Sequence, residues 1–183
     1  MSWLAREKLR ELERVAYYAA SSRIANGIPT GAMVALVPDD PESIAVPGGE
    51  SPGSLHITLA FLGKAEAISQ KERAMIRGQV RQVANNARSV EGQLVAPSLF
   101  GDGAIVALVQ GQDLPGLRAA IMRAVGNRGE IGSERYPVWV PHMTLAHKGD
   151  GVKIGRAIGK KIRCSAIKIA FGPDAELMDF RHP

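Results

Sequence analysis

The 183-residue sequence has little of what marks several other classes of protein. Its one cysteine, Cys164, can form neither an internal disulfide nor a thiolate metal site, so we expect a reducing, cytoplasmic location. No apolar run approaches the roughly 18 residues that cross a bilayer, and we expect no membrane partner. The charged N-terminus, MSWLAREKLRELER, lacks the apolar stretch of a secretory signal. Apolar residues nevertheless make up 45% of the chain, which is typical of a globular protein.

The sequence predicts an N-terminal helical extension followed by one larger domain. Residues 2–25 carry a rough apolar stripe at helical spacing, and we assign 1–28 to the extension and 29–183 to the domain. A long loop rich in proline and glycine, 38–54, joins the first two strands of the domain. The predicted elements of the domain are strands 31–38 and 55–63, helix 68–88, strands 92–99 and 103–110, helix 113–126, strand 138–147, a short basic helical stretch, and strands 162–171 and 175–180.

One order of elements occurs twice in the domain. GAMVALVP (31–38) precedes HITLAFLG (56–63), and GAIVALVQ (103–110) precedes HMTLAHKG (142–149). Each half is predicted to continue through a helix into a strand that ends at a Phe-Gly turn. Two similar halves usually pack about a pseudo-two-fold axis. We therefore expect the second strands of the two halves to face each other.

Histidine and threonine are both rare here, and they coincide on these two strands. The chain has four histidines and three threonines, and two of the threonines stand two residues after a histidine, in HIT (56–58) and HMT (142–144). Because side chains alternate faces along a strand, each histidine shares a face with its threonine, about 6.6 Å along the strand. The sequence thus predicts two histidines and two hydroxyls lining one cavity.

The same alternation predicts where the other side chains of the two strands point. Phe61 is expected on the core side, opposite His56. His147 is expected on the face opposite His142, and we interpret it as a structural residue. Cleft and core faces are therefore predicted from a strict period of two along both strands.

Two imidazoles and two hydroxyls around one cavity suit phosphoryl chemistry. Imidazole titrates near pH 6.5, so one histidine can begin as a base and the other as an acid on opposite sides of the phosphorus. Threonine hydroxyls can hold the non-bridging oxygens. A metal site is the rival interpretation, but there is no H-E-x-x-H spacing and each strand offers one ligand only. We predict neither a metal nor a cofactor.

The paired H-[IM]-T-L-A strands, 86 residues apart, resemble the two-histidine (2H) phosphoesterase superfamily. This superfamily includes the 2′-5′ RNA ligase-like proteins and the cyclic phosphodiesterases. The likeness is strongest to the branch found in bacterial and phage genomes, with GAMVALVP, a loop carrying VPGGE, and then LHITLAFLG. It covers about residues 31–180 and leaves out the N-terminal helix.

The resemblance implies a fold, an activity and a set of site residues. The implied fold is α+β and bilobal, with two antiparallel sheets and outer helices around a central cleft and an internal pseudo-two-fold duplication. The implied activity is hydrolysis or formation of 2′-linked phosphoesters, commonly the opening of 2′,3′-cyclic phosphates to 2′-phosphates. His56 and His142 are then the acid-base pair, and Thr58 and Thr144 supply the phosphate-binding hydroxyls.

Substrate recognition leaves two interpretations open at each further residue. Arg135, Tyr136 and Trp139, just before the second motif, either form a base-stacking and phosphate-steering lip or pack their loop onto the core. Lys148 either reaches a phosphate or is an ordinary exposed lysine. Residues 148–168 hold seven lysine and arginine side chains against one aspartate, and we expect this basic strip to shape the field at the cleft mouth.

Hydrolysis of an RNA end or a small nucleotide by a monomeric enzyme is the first functional hypothesis. The alternatives are 2′-5′ ligation, in which a 5′-hydroxyl replaces water, and cleavage of cyclic oligonucleotides as phage counter-defence in the host cytoplasm. A further alternative is a non-catalytic RNA- or virion-binding module, with the N-terminal helix docking another domain or protein. Retention of both histidines and both threonines argues against the last, because binding alone needs no acid and base.

Overall fold

The computed structural model describes residues 30–100, 103–129 and 138–181. The predicted N-terminal helix and the assignment of 1–28 to an extension lie outside the described residues. No helix in these described ranges is long and apolar enough to cross a membrane. The elements are β1 (Gly31–Val37), α1 (Pro41–Ile44), β2 (Ile57–Lys64), α2 (Gln70–Asn86), β3 (Val90–Leu99), β4 (Ala104–Gln110), α3 (Leu114–Val125), β5 (His142–His147), β6 (Lys161–Cys164), β7 (Ala166–Phe171) and β8 (Asp174–Asp179).

The strands form two four-stranded antiparallel sheets. The first sheet has the order β2-β1-β7-β8, and the second has the order β5-β4-β3-β6. Each H-x-T strand is thus the edge strand of its sheet, beside the strand that precedes it in sequence, and β2 and β5 contact each other. We call the sheet faces that carry Thr58 and Thr144 the cleft faces. The predicted α+β architecture with two antiparallel sheets and internal duplication is confirmed.

The helices do not follow the duplication as the strands do. Helix α2 begins where the Ser69 hydroxyl accepts a hydrogen bond from the Glu72 N–H, and it turns Ile76, Val80 and Ala84 into the core against β7 and β8. Helix α3 comes from the second half of the chain, yet it packs on α2 and on β2 of the first sheet. A helix was expected after each H-x-T strand, but β5 is followed only by a four-residue 3-10 turn. The duplication is therefore confined to the sheets.

The single strand predicted over 162–171 is wrong, because the chain changes sheets within it. β6 pairs with β3 in the second sheet, and β7 pairs with β1 in the first. The crossing residue is Ser165, whose N–H and hydroxyl both donate to one carboxylate oxygen of Asp39, each at 2.7 Å. The segment IRCSAIKIA is largely apolar and has neither glycine nor proline. No local signal therefore marked the break.

Both H-x-T strands contain a register shift, consistent with a β-bulge, at their repeated Leu-Ala pair. In the first sheet Ala35 pairs with Thr58 while the preceding Val34 pairs with Ala60, so that Leu59 is the extra residue. The second sheet shows the same shift, with Leu145 as the extra residue between Thr144 and Ala146. In each strand the leucine and the following alanine are both buried.

The bulges return the next residue of each strand to the cleft face. Phe61 pairs with Met33, which shares a face with the partner of Thr58, and His147 pairs with Ala104, which shares a face with the partner of Thr144. The expectation that Phe61 and His147 point away from the histidine faces is therefore wrong. A strict period of two fails here because each strand contains a bulge that adds one residue.

Two hydrogen bonds join the sheets where β2 and β5 meet. The backbone N–H of Glu50, in the loop before the first motif, donates to the Leu145 carbonyl of β5 at 2.8 Å. The indole N–H of Trp139, before the second motif, donates to the Thr58 carbonyl of β2 at 2.9 Å. The outward carbonyls of an edge strand have no neighbouring strand to pair with, so these bonds satisfy them and hold the two edges together.

Gly49 is required for this loop to approach β5, and its replacement tests the contact. A Cβ at Gly49 would lie 2.2 Å from the Leu145 carbonyl oxygen, whereas a Cβ at Gly53, in the same loop, would meet nothing within 4 Å. We expect Gly49→Ala to displace the loop and lower the free energy of unfolding by about 1–3 kcal/mol. Gly53→Ala should change it by less than about 1 kcal/mol. Equal denaturation midpoints for the two variants would contradict this assignment.

Candidate active site

The two motif histidines are held in the same way. His56 stands directly before β2 and His142 begins β5, and both side chains are half-buried. The Nδ1 of His56 lies 2.6 Å from the Ser54 carbonyl oxygen, and the Nδ1 of His142 lies 2.7 Å from the Val140 carbonyl oxygen. In each case the acceptor is the backbone two residues earlier. The pseudo-two-fold relation therefore extends to the orientation of the two rings.

These hydrogen bonds assign the chemistry of the four ring nitrogens. A carbonyl oxygen can only accept, so Nδ1 carries a proton in both rings. Nε2 of each ring is then the atom that can take up or release a proton. Neither acceptor could be identified from residue types, because both are main-chain atoms positioned by the turn before the strand. This is the main part of the site that the sequence analysis missed.

The charge state of His56 is set mainly by burial. Removal of the ring from water disfavours the imidazolium and lowers the pKa of His56 below its usual 6.5, and the nearby Lys168 ammonium lowers it further. The hydrogen bond to Ser54 and the Glu50 carboxylate act in the opposite direction but do not outweigh burial. At neutral pH the ring is therefore neutral, with a lone pair on Nε2.

A small apolar cluster adjoins the second motif. Phe100 meets the ring of His142 edge-on, with centroids 4.7 Å apart and planes at 62°. Phe100, Ala104 and Val106 are buried together beside Leu108, separately from the main core. In the register of the second sheet Val106 pairs with Thr144, so this cluster lies beside the second motif on the same face of the sheet. The first sheet has a charged residue at this place, because Lys168 on β7 shares the face of Thr58.

Glu50 connects the two motif strands. One of its carboxylate oxygens lies 3.0 Å from Nε2 of His147, at the end of β5, and the other accepts a hydrogen bond from the Ser54 hydroxyl at 2.9 Å. The same Ser54 supplies the carbonyl that orients His56. His147, interpreted from sequence as a structural residue facing away, thus contacts the loop that carries the first histidine.

The predicted substrate-binding residues are placed differently from one another. Trp139 is half-buried, with its indole N–H engaged by the Thr58 carbonyl and the Arg118 guanidinium 5.1 Å from its ring centroid. Lys148 is exposed directly after β5. Arg135 and Tyr136 lie outside the described residues. A role for these four residues in substrate binding stays a prediction.

Two lysines of the basic strip lie away from the motif strands. Lys161 lies on β6, the edge of the second sheet opposite β5 and about 14 Å from it at three strand spacings. The Lys160 ammonium donates to the Ser43 carbonyl. The expectation that the strip shapes the field at the cleft mouth stays a prediction. No group of three or more metal-ligating side chains occurs within the described ranges.

Two adjoining edge strands that each present a histidine and a threonine define a 2H phosphoesterase arrangement. Residues 50–171 match the family model of the 2′-5′ RNA ligase superfamily, and the chain belongs to that family. This confirms the resemblance drawn from the H-x-T motifs. No curated protein sequence matches the chain at a significant level.

Solved structures resemble this chain at low sequence identity. TT0787 of Thermus thermophilus is 17% identical, with 83% of this chain and 98% of that chain aligned and a TM-score of 0.59. E. coli LigT complexed with 3′-AMP is 15% identical, with 85% and 96% aligned and a TM-score of 0.49. Kluyveromyces marxianus Usb1 is 13% identical, with 82% and 97% aligned and a TM-score of 0.49. The likeness to TT0787 supports the fold.

The lowered pKa of His56 predicts how stability depends on pH. In the unfolded chain the ring titrates near 6.5, so between its folded pKa and about 6.5 the unfolded state binds more protons. The contribution of His56 to the free energy of unfolding is therefore fully present above about pH 6.5, and it is lost as the pH falls below that value. NMR should show His56 titrating below 6.5. Its replacement in His56→Gln should flatten the fall in unfolding free energy between about pH 7.5 and 5.5. A titration at or above 6.5 would contradict the prediction.

Proposed function

We propose that the protein is a metal-independent phosphoesterase that hydrolyses 2′-linked or 2′,3′-cyclic phosphoesters of RNA ends or nucleotides. The observation that carries this proposal is the pair of half-buried imidazoles, each held through Nδ1 by a main-chain carbonyl, so that Nε2 is the nitrogen of each ring whose protonation can change. Membership of the 2′-5′ RNA ligase superfamily supports the substrate class. Each histidine is accompanied by a threonine hydroxyl two residues further along its strand.

In the proposed reaction the two histidines act on opposite sides of the phosphorus. Nε2 of His56, neutral at physiological pH, takes a proton from water as the water oxygen attacks phosphorus. The bond from phosphorus to the 3′-oxygen breaks, and Nε2–H of His142 delivers a proton to that oxygen, which leaves a 2′-phosphate and a 3′-hydroxyl. The hydroxyls of Thr58 and Thr144 donate to the non-bridging oxygens as their charge grows.

The same machinery would serve ligation if a 5′-hydroxyl took the place of water. Cyclic oligonucleotides are a further substrate class with a phosphodiester as the scissile group. A binding module without catalysis would require no acid and base together, so loss of either histidine would leave its function intact. The docking role of the N-terminal extension and the monomeric state stay predictions.

Turnover should survive chelation. A panel of 2′,3′-cyclic nucleotides, 2′-5′ oligonucleotides and cyclic di- and trinucleotides, assayed with EDTA present, should identify at least one substrate that is hydrolysed. The physical reason is that the two imidazoles supply acid and base without a metal-bound water. Product analysis by phosphorus NMR would distinguish 2′-phosphates from ligated products. Activity that disappears with EDTA and returns with Zn²⁺ or Mn²⁺ would overturn the mechanism.

Replacement of either histidine should abolish most of the activity without unfolding the protein. His56→Ala and His142→Ala each remove one proton-transfer partner, and we expect kcat to fall by about 10²–10⁴-fold in each. The double variant should lose much less than the product of the single losses, because both groups act in one transition state. Thr58→Ala and Thr144→Ala should each lower kcat by about tenfold to a thousandfold.

His182→Ala, outside the motifs, is the matched control and should keep wild-type turnover. The wild-type profile of kcat/KM against pH should be bell-shaped, with one limb missing in each histidine variant. A folded His56→Ala protein with near-normal turnover would remove the central assignment. Circular dichroism would establish that each variant is folded.

A further inference from the structure

One lysine of the basic strip does reach the cleft. Lys168 on β7 pairs with Ala35 on β1, and Ala35 pairs in turn with Thr58 on β2. Directly paired residues in antiparallel strands project to the same face of the sheet. Lys168 and Thr58 therefore share the cleft face, two strand spacings or about 10 Å apart at their Cα atoms.

Ala35, the residue between Thr58 and Lys168, is small and buried. Ala35 is 0% exposed and presents only a methyl group between Thr58 and Lys168. The four-carbon stem of lysine is flexible and long enough to cross such a position. In the second sheet the corresponding row is Thr144, Val106 and Ser98, which has a larger middle residue and no cation. The two halves thus differ in charge at equivalent positions.

The Lys168 ammonium has no carboxylate partner among the described side chains. Lys168 is half-buried, and the ion pairs found in this part of the chain do not include it. Its field acts on the ring of His56 and lowers the pKa of that imidazole, which places the charge close to the first motif. Partial burial of an unpaired cation is unfavourable, and a bound anion would offset that cost.

We propose that Lys168 is a further phosphate-binding side chain of the cleft, donating from the first sheet to a non-bridging oxygen beside Thr58. The proposal rests on the proposed function and deepens it, because it assigns the additional binding of the anion to the first sheet alone. A phosphodiester carries one negative charge and gains a second as water adds to phosphorus. The Lys168 ammonium would stabilise that added charge, while the apolar cluster beside His142 would face an uncharged part of the substrate.

Inorganic phosphate is the probe, because its binding requires no turnover. Lys168→Met keeps the length of the stem and removes the charge, and we expect it to weaken phosphate binding by about tenfold to a hundredfold in calorimetry. Lys168→Arg, which keeps the charge, should bind more tightly than Lys168→Met. Lys161→Met removes an exposed lysine at the far edge of the second sheet and is the matched control, with affinity expected within about twofold of wild type.

A second measurement reports position independently of affinity. In Lys168→Met the NMR titration of His56 should move to a higher pKa, because the ammonium that lowers it is gone, and the Glu50 carboxylate and burial remain. Lys161→Met should leave that titration unchanged. A purely structural role for Lys168 would alter stability without this pair of changes.

The outcomes separate this inference from the proposed function. If phosphate binding depends on Lys168 while no substrate in the panel is hydrolysed, the proposed function fails and the phosphate site stands. If a substrate is hydrolysed but Lys168→Met is folded and binds phosphate as tightly as wild type, the inference is overturned alone. Failure of the wild-type protein to bind phosphate at all would also overturn it.

Discussion

The geometry of the cleft depends on how two sheet edges are joined. Each edge strand has outward carbonyls with no neighbouring strand, and the segment before the opposite histidine supplies the donor: Glu50 N–H to Leu145 of β5, and the Trp139 indole to Thr58 of β2. Paired edges cannot slide without leaving these carbonyls unsatisfied. The same two segments carry the backbone that orients His56 and His142, so sheet packing and ring orientation are coupled.

Within that frame, the bulges decide which side chains share the cleft. An extra leucine in each strand, Leu59 and Leu145, stays buried and brings Phe61 and His147 round to the face of the threonines. A regular strand would have turned these two side chains to the core. The repeated Leu-Ala pair is thus a structural device, because it allows each strand to bury two successive residues and still return to the cleft.

A duplicated frame would make the two histidines equivalent, but the proposed acid-base chemistry needs them to differ. The difference comes from what lies around each ring. Burial and the Lys168 ammonium lower the pKa of His56, whereas His142 lies against Phe100 and beside an apolar cluster. The two rings therefore occupy chemically different surroundings. The symmetry of the sheets positions the two rings, and the side chains around each ring differ.

Much of this could be predicted from the sequence, because it resides in local patterns: the repeated H-x-T strands, the helices at 70–86 and 114–125, and the duplicated order of strands. The crossing at Ser165 and the sheet that each helix covers were not predictable, since no local residue preference marks them. The faces of Phe61 and His147 were misassigned because a bulge changes the count by one. The hydrogen bonds that join the sheet edges link residues 81 and 95 positions apart, and the row that brings Lys168 to the face of Thr58 depends on the pairing of Lys168 with Ala35, 133 positions away. Only tertiary pairing decides those.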